Sequence, residues 1–393
     1  MTHAAQIFAP RYLDIGGGSV QRTGALCRRL GVERPLIVTD AFMVDSGLIV
    51  HLTDVLRAAG VAYSVFSNTV PDPTDRVIDA GVAHMINGDF DGLIAFGGGS
   101  PMDAAKAINI LAAARRTDPE ISIRAFKLPA TADANALPLI AIPTTAGTGS
   151  EVTRFTVVTD TTHNEKMLIS GLGALPIAAI VDYELTMSVP PRVTADTGID
   201  SFVHALEAFV SRRASVHSDL FARSGLALIG KHLHTAYMEP DNRVAREGMM
   251  LGATHAGIAC SIAPVALVHA MARPVGAHFH ISHGMSNAML LPAVTQYSLP
   301  AALQRYAEAA RVAGCAPAHV DDHTASLMLV DNLYRMNREL AVPTPRELGI
   351  ARTTWHQLAS PMADQALASG SPANNPRVPE QADIVRLYKE AYS

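Results

Sequence analysis

The sequence predicts a chain of two domains, an α/β half built on a largely parallel sheet followed by an all-helical half. Three observations carry that expectation. Through the first half, short apolar runs alternate with amphipathic stretches at the spacing of strand–helix–strand units. After the Pro190-Pro191 pair the texture changes to long helical patterns with no run of β-branched alternation. The chain also has 393 residues, 49% hydrophobic and 17% charged, which is long enough for two cores and too apolar for disorder.

Strands are expected at Pro35–Thr39, Ala62–Phe66, Gly92–Phe96 and Pro138–Ile142, with further strands near Phe155–Thr159 and Ala178–Val181. Between them, Val44–Ala59, Thr74–Asn87 and Met102–Ala114 read as covering helices. With the boundary at the proline pair, the domains are 1–190 and 191–393. The second is expected to hold helices at Asp196–Arg213, Ser218–Ala236, Val244–Ala259, Ile262–Ala272 and Leu299–Ala313. Met249–Ala272 lacks Asp, Glu, Lys and Arg, yet its histidines, glycines and proline suit a buried helix better than a membrane span.

A net charge of -5 supplies no basic field for nucleic acid or anionic lipid. Cys27, Cys260 and Cys315 lie far apart without a CxxC pair, as expected of reduced thiols in a cytoplasmic protein. The first residues show no basic segment leading into an apolar run, so no signal peptide is expected.

Two loops carry the first chemistry. Gly97-Gly98-Gly99-Ser100-Pro101-Met102-Asp103 follows an apolar strand and opens a helix, where glycines let a ligand approach and free N–H groups attract phosphate. A bare strand–helix turn would look similar. Thr144-Thr145-Ala146-Gly147-Thr148-Gly149-Ser150 follows a second strand with hydroxyls and glycines suited to a diphosphate and ribose. Two such loops on one sheet predict a Rossmann-like, dinucleotide-binding domain. Asp40, at a strand tip, could accept from ribose hydroxyls and favour NAD over NADP, or cap the following helix.

Asp200 and His204, four apart in a helical segment, project from one face, with Ile199, Phe202, Val203 and Leu206 around them. Such a pair also occurs at surfaces and helix caps. His269 and His283 stand in equally apolar surroundings, and buried imidazoles need partners. Three histidines and one aspartate would suit Fe²⁺ or Zn²⁺ with a position left open.

Over nearly its full length the chain resembles the iron-activated (group III) alcohol dehydrogenases, a family that includes lactaldehyde reductases and propanediol oxidoreductases. The motifs that carry the likeness are GGGSPMDAAK at Gly97–Lys106, TTAGTGSEVT at Thr144–Thr153, DTGIDSFVHALEAF at Asp196–Phe209, and His269 through Gly284. The resemblance implies an NAD-binding N-terminal domain, a metal-binding helical C-terminal domain and an active site in the cleft between them. It implies metal ligation by Asp200, His204, His269 and His283. It also implies NAD contacts from Asp40, Gly97, Gly98, Gly99, Ser100, Asp103, Thr144, Thr145, Thr148 and Lys166. The activity implied is reversible hydride transfer between a small alcohol and NAD, in a homodimer.

Relatives commonly carry a histidine where this chain has Arg273, so the proton relay of the family is altered here. Arg273 is expected either to face an anionic substrate group or to form a structural salt bridge. Asp72 stands where asparagine is frequent, and Ser371 falls at a pocket-facing position that varies. His278 and His280 flank the ligand region, where His280 could assist proton transfer or serve packing. The related alternatives are a maleylacetate-type reductase, a group that usually lacks the full ligand set, and a hydroxyacid–oxoacid transhydrogenase. A dehydroquinate synthase-like lyase would need more basic residues than this chain offers.

Overall fold

The apolar runs of the first half become strands of a six-stranded sheet, all neighbours parallel. The computed structural model describes residues 6–133, 136–163 and 165–392. The chain divides into a unit spanning Phe8–Ser188 and a second built mainly from Val189–Ser393.

In chain order the first unit carries β1 (Tyr12–Ile15), α1 (Thr23–Leu30), β2 (Pro35–Asp40), α2 (Ala41–Asp45), α3 (Val50–Ala58), β3 (Ser64–Thr69), α4 (Asp75–Asn87), β4 (Gly92–Gly97), α5 (Gly99–Ala114), β5 (Leu139–Pro143), β6 (Phe155–Asp160), β7 (Glu165–Ser170) and β8 (Ala178–Val181). The sheet order is β1-β8-β5-β4-β2-β3, and β6 and β7 form a separate antiparallel pair. Successive residues feed opposite faces. Leu36, Val38, Leu93 and Ala95 pack with the core beneath α4 and α5, while Ile37, Ile94, Phe96 and Ile140 pack with α1 and α3. β4 and β5 are buried at every position, which is why they read as unbroken apolar runs. The chain steps outward from β2 to β3 and returns as β4 on the other side of β2, creating a switch point where doubly wound sheets bind ligands.

Several expectations shift. The helix expected over Val44–Ala59 is two helices, because Gly47 takes a left-handed φ of 78° between them. The strand expected from Ala62 begins at Ser64. β1 and β7 lack an apolar alternation strong enough to announce them; β1 is an edge strand with Leu13 and Ile15 exposed.

One buried charge fixes the segment after β5. Lys106, on α5, is fully buried and its Nζ lies within 2.6–3.2 Å of five oxygens, the carbonyls of Ser150, Thr153 and Phe155 and the hydroxyls of Ser150 and Thr153. A buried ammonium is tolerated only with such company.

The second unit comprises α6 (Pro191–Val210), α7 (Val216–Met238), α8 (Arg243–Ile262), α9 (Leu267–Phe279), α10 (His283–Ser298), α11 (Leu303–Val312), α12 (Asp322–Glu339), α13 (Arg352–Ala368) and α14 (Gln381–Glu390). Pro191 sits at the first position of α6, where its missing N–H costs nothing. The charge-free segment Met249–Ala272 is not one helix: α8 and α9 meet at 104° across a break holding Pro264. No single helix among the described residues is long and apolar enough to cross a membrane. α10 lies outside the sequence expectations because it is buried on nearly every face and therefore has no amphipathic period. Cys27 and Cys260 are buried free thiols, and Cys315 is partly exposed.

Replacing Lys106 by Met should strand its acceptors and cost about 3 kcal/mol, lowering the thermal midpoint by roughly 6–12 °C. A melting curve matching the parent protein would show that the ammonium is dispensable.

Candidate metal centre and cofactor loops

The two small-residue loops sit side by side at the carboxyl ends of β4 and β5. Thr144 N donates to Gly97 O at 2.9 Å, carrying the strand ladder into the loops. Gly97 has φ +144°, and a Cβ there would meet Pro101 Cγ at 2.7 Å; a Cβ on Gly99 would meet Thr148 Cγ2 at 2.8 Å. The glycines are thus required by the loops' own approach. Gly98 caps α5 without a side-chain hydrogen bond, and the first turn holds no acid, so the N-terminal N–H groups and their partial positive charge are free for an anion. Thr145 lies beside Gly98, and Thr148 Oγ1 accepts from Ser150 N at 3.2 Å.

Asp40 caps α2, its Oδ1 accepting from Met43 N at 2.9 Å. The capping role anticipated as an alternative is therefore realised, and it occupies one carboxylate oxygen. Asp103 points to the second loop and β6: Oδ1 accepts from Ser150 Oγ at 3.1 Å and Oδ2 from Val157 N at 3.2 Å. Burial pushes its carboxyl up to about 6, against the opposing pull of Lys106. Lys166 pairs with Asp72 at 2.8 Å, and Asp72 N donates to Ser100 Oγ at 3.3 Å. The charge at position 72 is thus part of a chain from Lys166 to the start of α5.

In the helical unit, Asp200 and His204 share one face of α6, His269 lies in the first turn of α9 and His283 opens α10. Asp200 Oδ1 is 3.5 Å from both His269 Nε2 and His283 Nε2, and donor atoms of these three residues lie within 4.8 Å of one another. His204 stands beside this group, stacked on His269 with ring centroids 4.5 Å apart and Nδ1 3.9 Å from Asp200 Oδ2. His204 Nδ1, His269 Nε2 and Asn287 Oδ1 are buried without a hydrogen-bond partner. Orphaned nitrogens facing a carboxylate are the pattern a divalent cation would complete.

Electrostatics agree with that reading at Asp200 and His204; at His269 burial opposes protonation, but Asp200 and Glu207 together raise its pKa. Burial opposes ionisation of Asp200, but His204, His283 and His269 hold its carboxyl well below the usual range. Burial also lowers His204 to about 4, leaving the neutral imidazole that a metal requires.

Residues that sequence reasoning did not single out hold these groups in place. Glu207, also on α6, accepts from Ala266 N at 2.8 Å, Val268 N at 2.6 Å and His269 Nδ1 at 2.8 Å. An acceptor there assigns the imidazole proton to Nδ1 and turns the Nε2 lone pair toward Asp200. Asp196 Oδ2 accepts from Ser282 Oγ at 2.9 Å, and a Cβ on Gly284 would lie 2.1 Å from Asp196 O, so the start of α10 seats directly on α6. Asn287 Nδ2 donates to Asp200 Oδ1 at 2.6 Å. The signal was present in α6 itself, because 196, 200, 204 and 207 recur at helical spacing on one face.

Arg273 is half-buried, and its Nη1 donates to Ser371 Oγ at 3.3 Å; the anticipated salt bridge is absent among the described residues. His280 is exposed at the end of α9 with a left-handed φ of 55°, and His278 Nε2 meets Gln365 Oε1 at 3.1 Å.

Comparison with known proteins follows the same division. A family model described as iron-containing alcohol dehydrogenase matches residues 10–183, and one for the C-terminal region of the Fe-containing alcohol dehydrogenase family matches 194–392. Lactaldehyde reductase of Escherichia coli K12 is 33% identical over 96% of this chain and 97% of its own length. The NAD-dependent methanol dehydrogenase of Bacillus methanolicus is 32% identical over 98% and 99%. The crystal structure of a 1,3-propanediol oxidoreductase superposes with a TM-score of 0.92 at 30% identity, covering 99% of this chain and all (100%) of that one.

Glu207→Gln should weaken divalent-metal binding about 10–100-fold with helix content unchanged; equal affinity in a chelator competition would show that Glu207 does not orient His269. Asp103 makes a separate prediction. A folded pKa near 6, above the ordinary carboxylate value of 3.8, means its contribution is complete below pH 3.8 and is lost as pH rises through 6. The loss amounts to about 3 kcal/mol at most. In Asp103→Asn, denaturation midpoints measured from pH 4 to 7 should lose this decline; an unchanged slope would assign it elsewhere.

Proposed function

This chain belongs to the iron-containing alcohol dehydrogenase family, and we propose that it is an NAD-dependent, divalent-metal-dependent alcohol dehydrogenase. The observation that carries the reading is the buried group of Asp200, His269 and His283, with unpartnered nitrogens on His204 and His269. The reaction is RR′CHOH + NAD⁺ ⇌ RR′C=O + NADH + H⁺. A cation held there would supply Lewis acidity toward an alcohol or carbonyl oxygen, and NAD held at the two loops would supply the hydride acceptor.

Asp200 would supply negative charge for an Fe²⁺ or Zn²⁺ ion, and His204, His269 and His283 would supply nitrogen donors. Glu207 holds the His269 ring, and Asp196 through Ser282 holds the turn that presents His283. In the other unit, the free N–H groups at the start of α5 and the hydroxyls of Thr144, Thr145 and Thr148 suit the pyrophosphate and ribose. The Asp40 oxygen not used in capping α2 suits the adenosine ribose hydroxyls, and its charge disfavours a 2′-phosphate. The methanol dehydrogenase relative is described as NAD-dependent, which supports the same cofactor here. No side-chain nucleophile is required, and no step of this reading uses His280.

The test is NADH formation by metal-stripped protein over a panel of primary alcohols, before and after addition of Fe²⁺ or Zn²⁺. Turnover should need the metal and be lost in Asp200→Asn together with metal binding. Metal-independent turnover, or silence on every alcohol while NAD and metal both bind, would overturn the reading.

A further inference from the structure

Arg273 is the cation this mechanism leaves unused. Other arginines of the helical unit show how a guanidinium is ordinarily satisfied. Arg305 forks onto both oxygens of Asp219 and also donates to Phe209 O. Arg246, fully buried, has no carboxylate but spends its donors on Pro240 O, Thr194 Oγ1 and Val189 O. Arg273 has five N–H donors like the others, yet among the described residues its one hydrogen-bonding partner is the Ser371 hydroxyl at 3.3 Å. Among the described residues no carboxylate pairs with it. Glu207, the carboxylate whose charge it feels, already accepts from two backbone N–H groups and His269.

Its position is as telling as its lack of partners. Arg273 follows His269 by four residues on α9, so the two side chains leave the same face one turn apart. Its charge helps to hold His204 down, in keeping with a place on the side of α9 that carries His269. Ser371, buried at the start of the turn Ser371–Asn374, adds a hydroxyl next to the guanidinium. Burial lowers the arginine's pKa without discharging it, because a guanidinium keeps its proton under any ordinary condition. A half-buried fixed charge without a counter-ion is costly, and a planar oxyanion entering from a ligand would recover that cost through paired N–H bonds.

We propose that Arg273, assisted by Ser371, is the recognition element for an anionic group on the substrate, and that the substrate class is short ω-hydroxycarboxylates and their aldehydes. This rests on the dehydrogenase reading above. A rise of about 6 Å between residues four apart on a helix sets the span between reacting carbon and carboxylate at a few carbons. In the reaction ⁻O₂C–(CH₂)n–CH₂OH + NAD⁺ → ⁻O₂C–(CH₂)n–CHO + NADH + H⁺, a C–H bond breaks and its electron pair passes to NAD⁺. The hydroxyl proton is released, and the carboxylate is unchanged.

The experiment compares 4-hydroxybutanoate with the isosteric neutral 4-hydroxybutanamide in metal-loaded protein, and measures binding of unreactive butanoate by calorimetry. The parent protein should prefer the acid. Arg273→Gln should lower the ratio of acid to amide kcat/KM about 100-fold, mainly through KM for the acid, and weaken butanoate at least about tenfold. Arg273→Lys should recover part of both effects, since it keeps the charge and loses the fork. Ser371→Ala, which keeps Arg273, should reduce the preference by a smaller factor and serves if the Gln variant misfolds. An unchanged ratio and unchanged butanoate affinity would overturn the proposal, as would preference of the parent protein for the amide. If the parent oxidises no alcohol, the dehydrogenase reading fails, and the butanoate measurement still decides whether Arg273 is an anion site.

Discussion

The candidate metal centre depends on the carboxylate of Glu207 more than on any other single group. It lies on α6, buried, and accepts three N–H groups, two from the backbone at the start of α9 and one from His269. A buried carboxylate is expensive unless fully hydrogen-bonded, and this one is satisfied only when α9 begins where it does. The same bond that begins the helix aims the His269 ring. Asp196, three turns earlier on the same face, does the equivalent for α10 through Ser282. α6 is thus the reference against which α9 and α10 are placed, with Asp200 and His204 between its two anchoring carboxylates.

The first unit follows a similar logic with the opposite sign of charge. Lys106 gathers oxygens from Ser150, Thr153 and Phe155, and Asp103 takes Ser150 Oγ and Val157 N one turn earlier on α5. Between them they hold the loop after β5 against the loop after β4. Neither residue needs to touch a ligand for the loops to depend on it. In both units a connecting stretch gains a defined shape from one buried ion whose partners are mostly backbone atoms.

What could be read in advance divides along physical lines. β4 and β5 were legible because burial on both faces makes a strand a continuous apolar run, and the two loops because glycines and hydroxyls after such runs are rare. Asp200 and His204 were legible because helical spacing puts them on one face amid apolar neighbours. Glu207 has the same spacing relation to His204, but an acid on a helix ordinarily reads as solvated. What makes it structural is a backbone N–H 59 residues downstream, which no local pattern encodes. α10 was hidden by its own burial, and the break between α8 and α9 by a segment that is apolar throughout. That no carboxylate among the described residues pairs with Arg273 is a fact about three-dimensional neighbours and could be found only there.

The double duty of Glu207 ties two equilibria that are usually discussed apart. Any electron withdrawal from His269 Nε2 acidifies its Nδ1–H and tightens the bond to Glu207, and so tightens the first turn of α9. Occupancy of the centre and local order of that helix therefore draw on one shared free energy. The backbone that shares in this coupling is the start of α9, where Ala266 N and Val268 N both donate to Glu207.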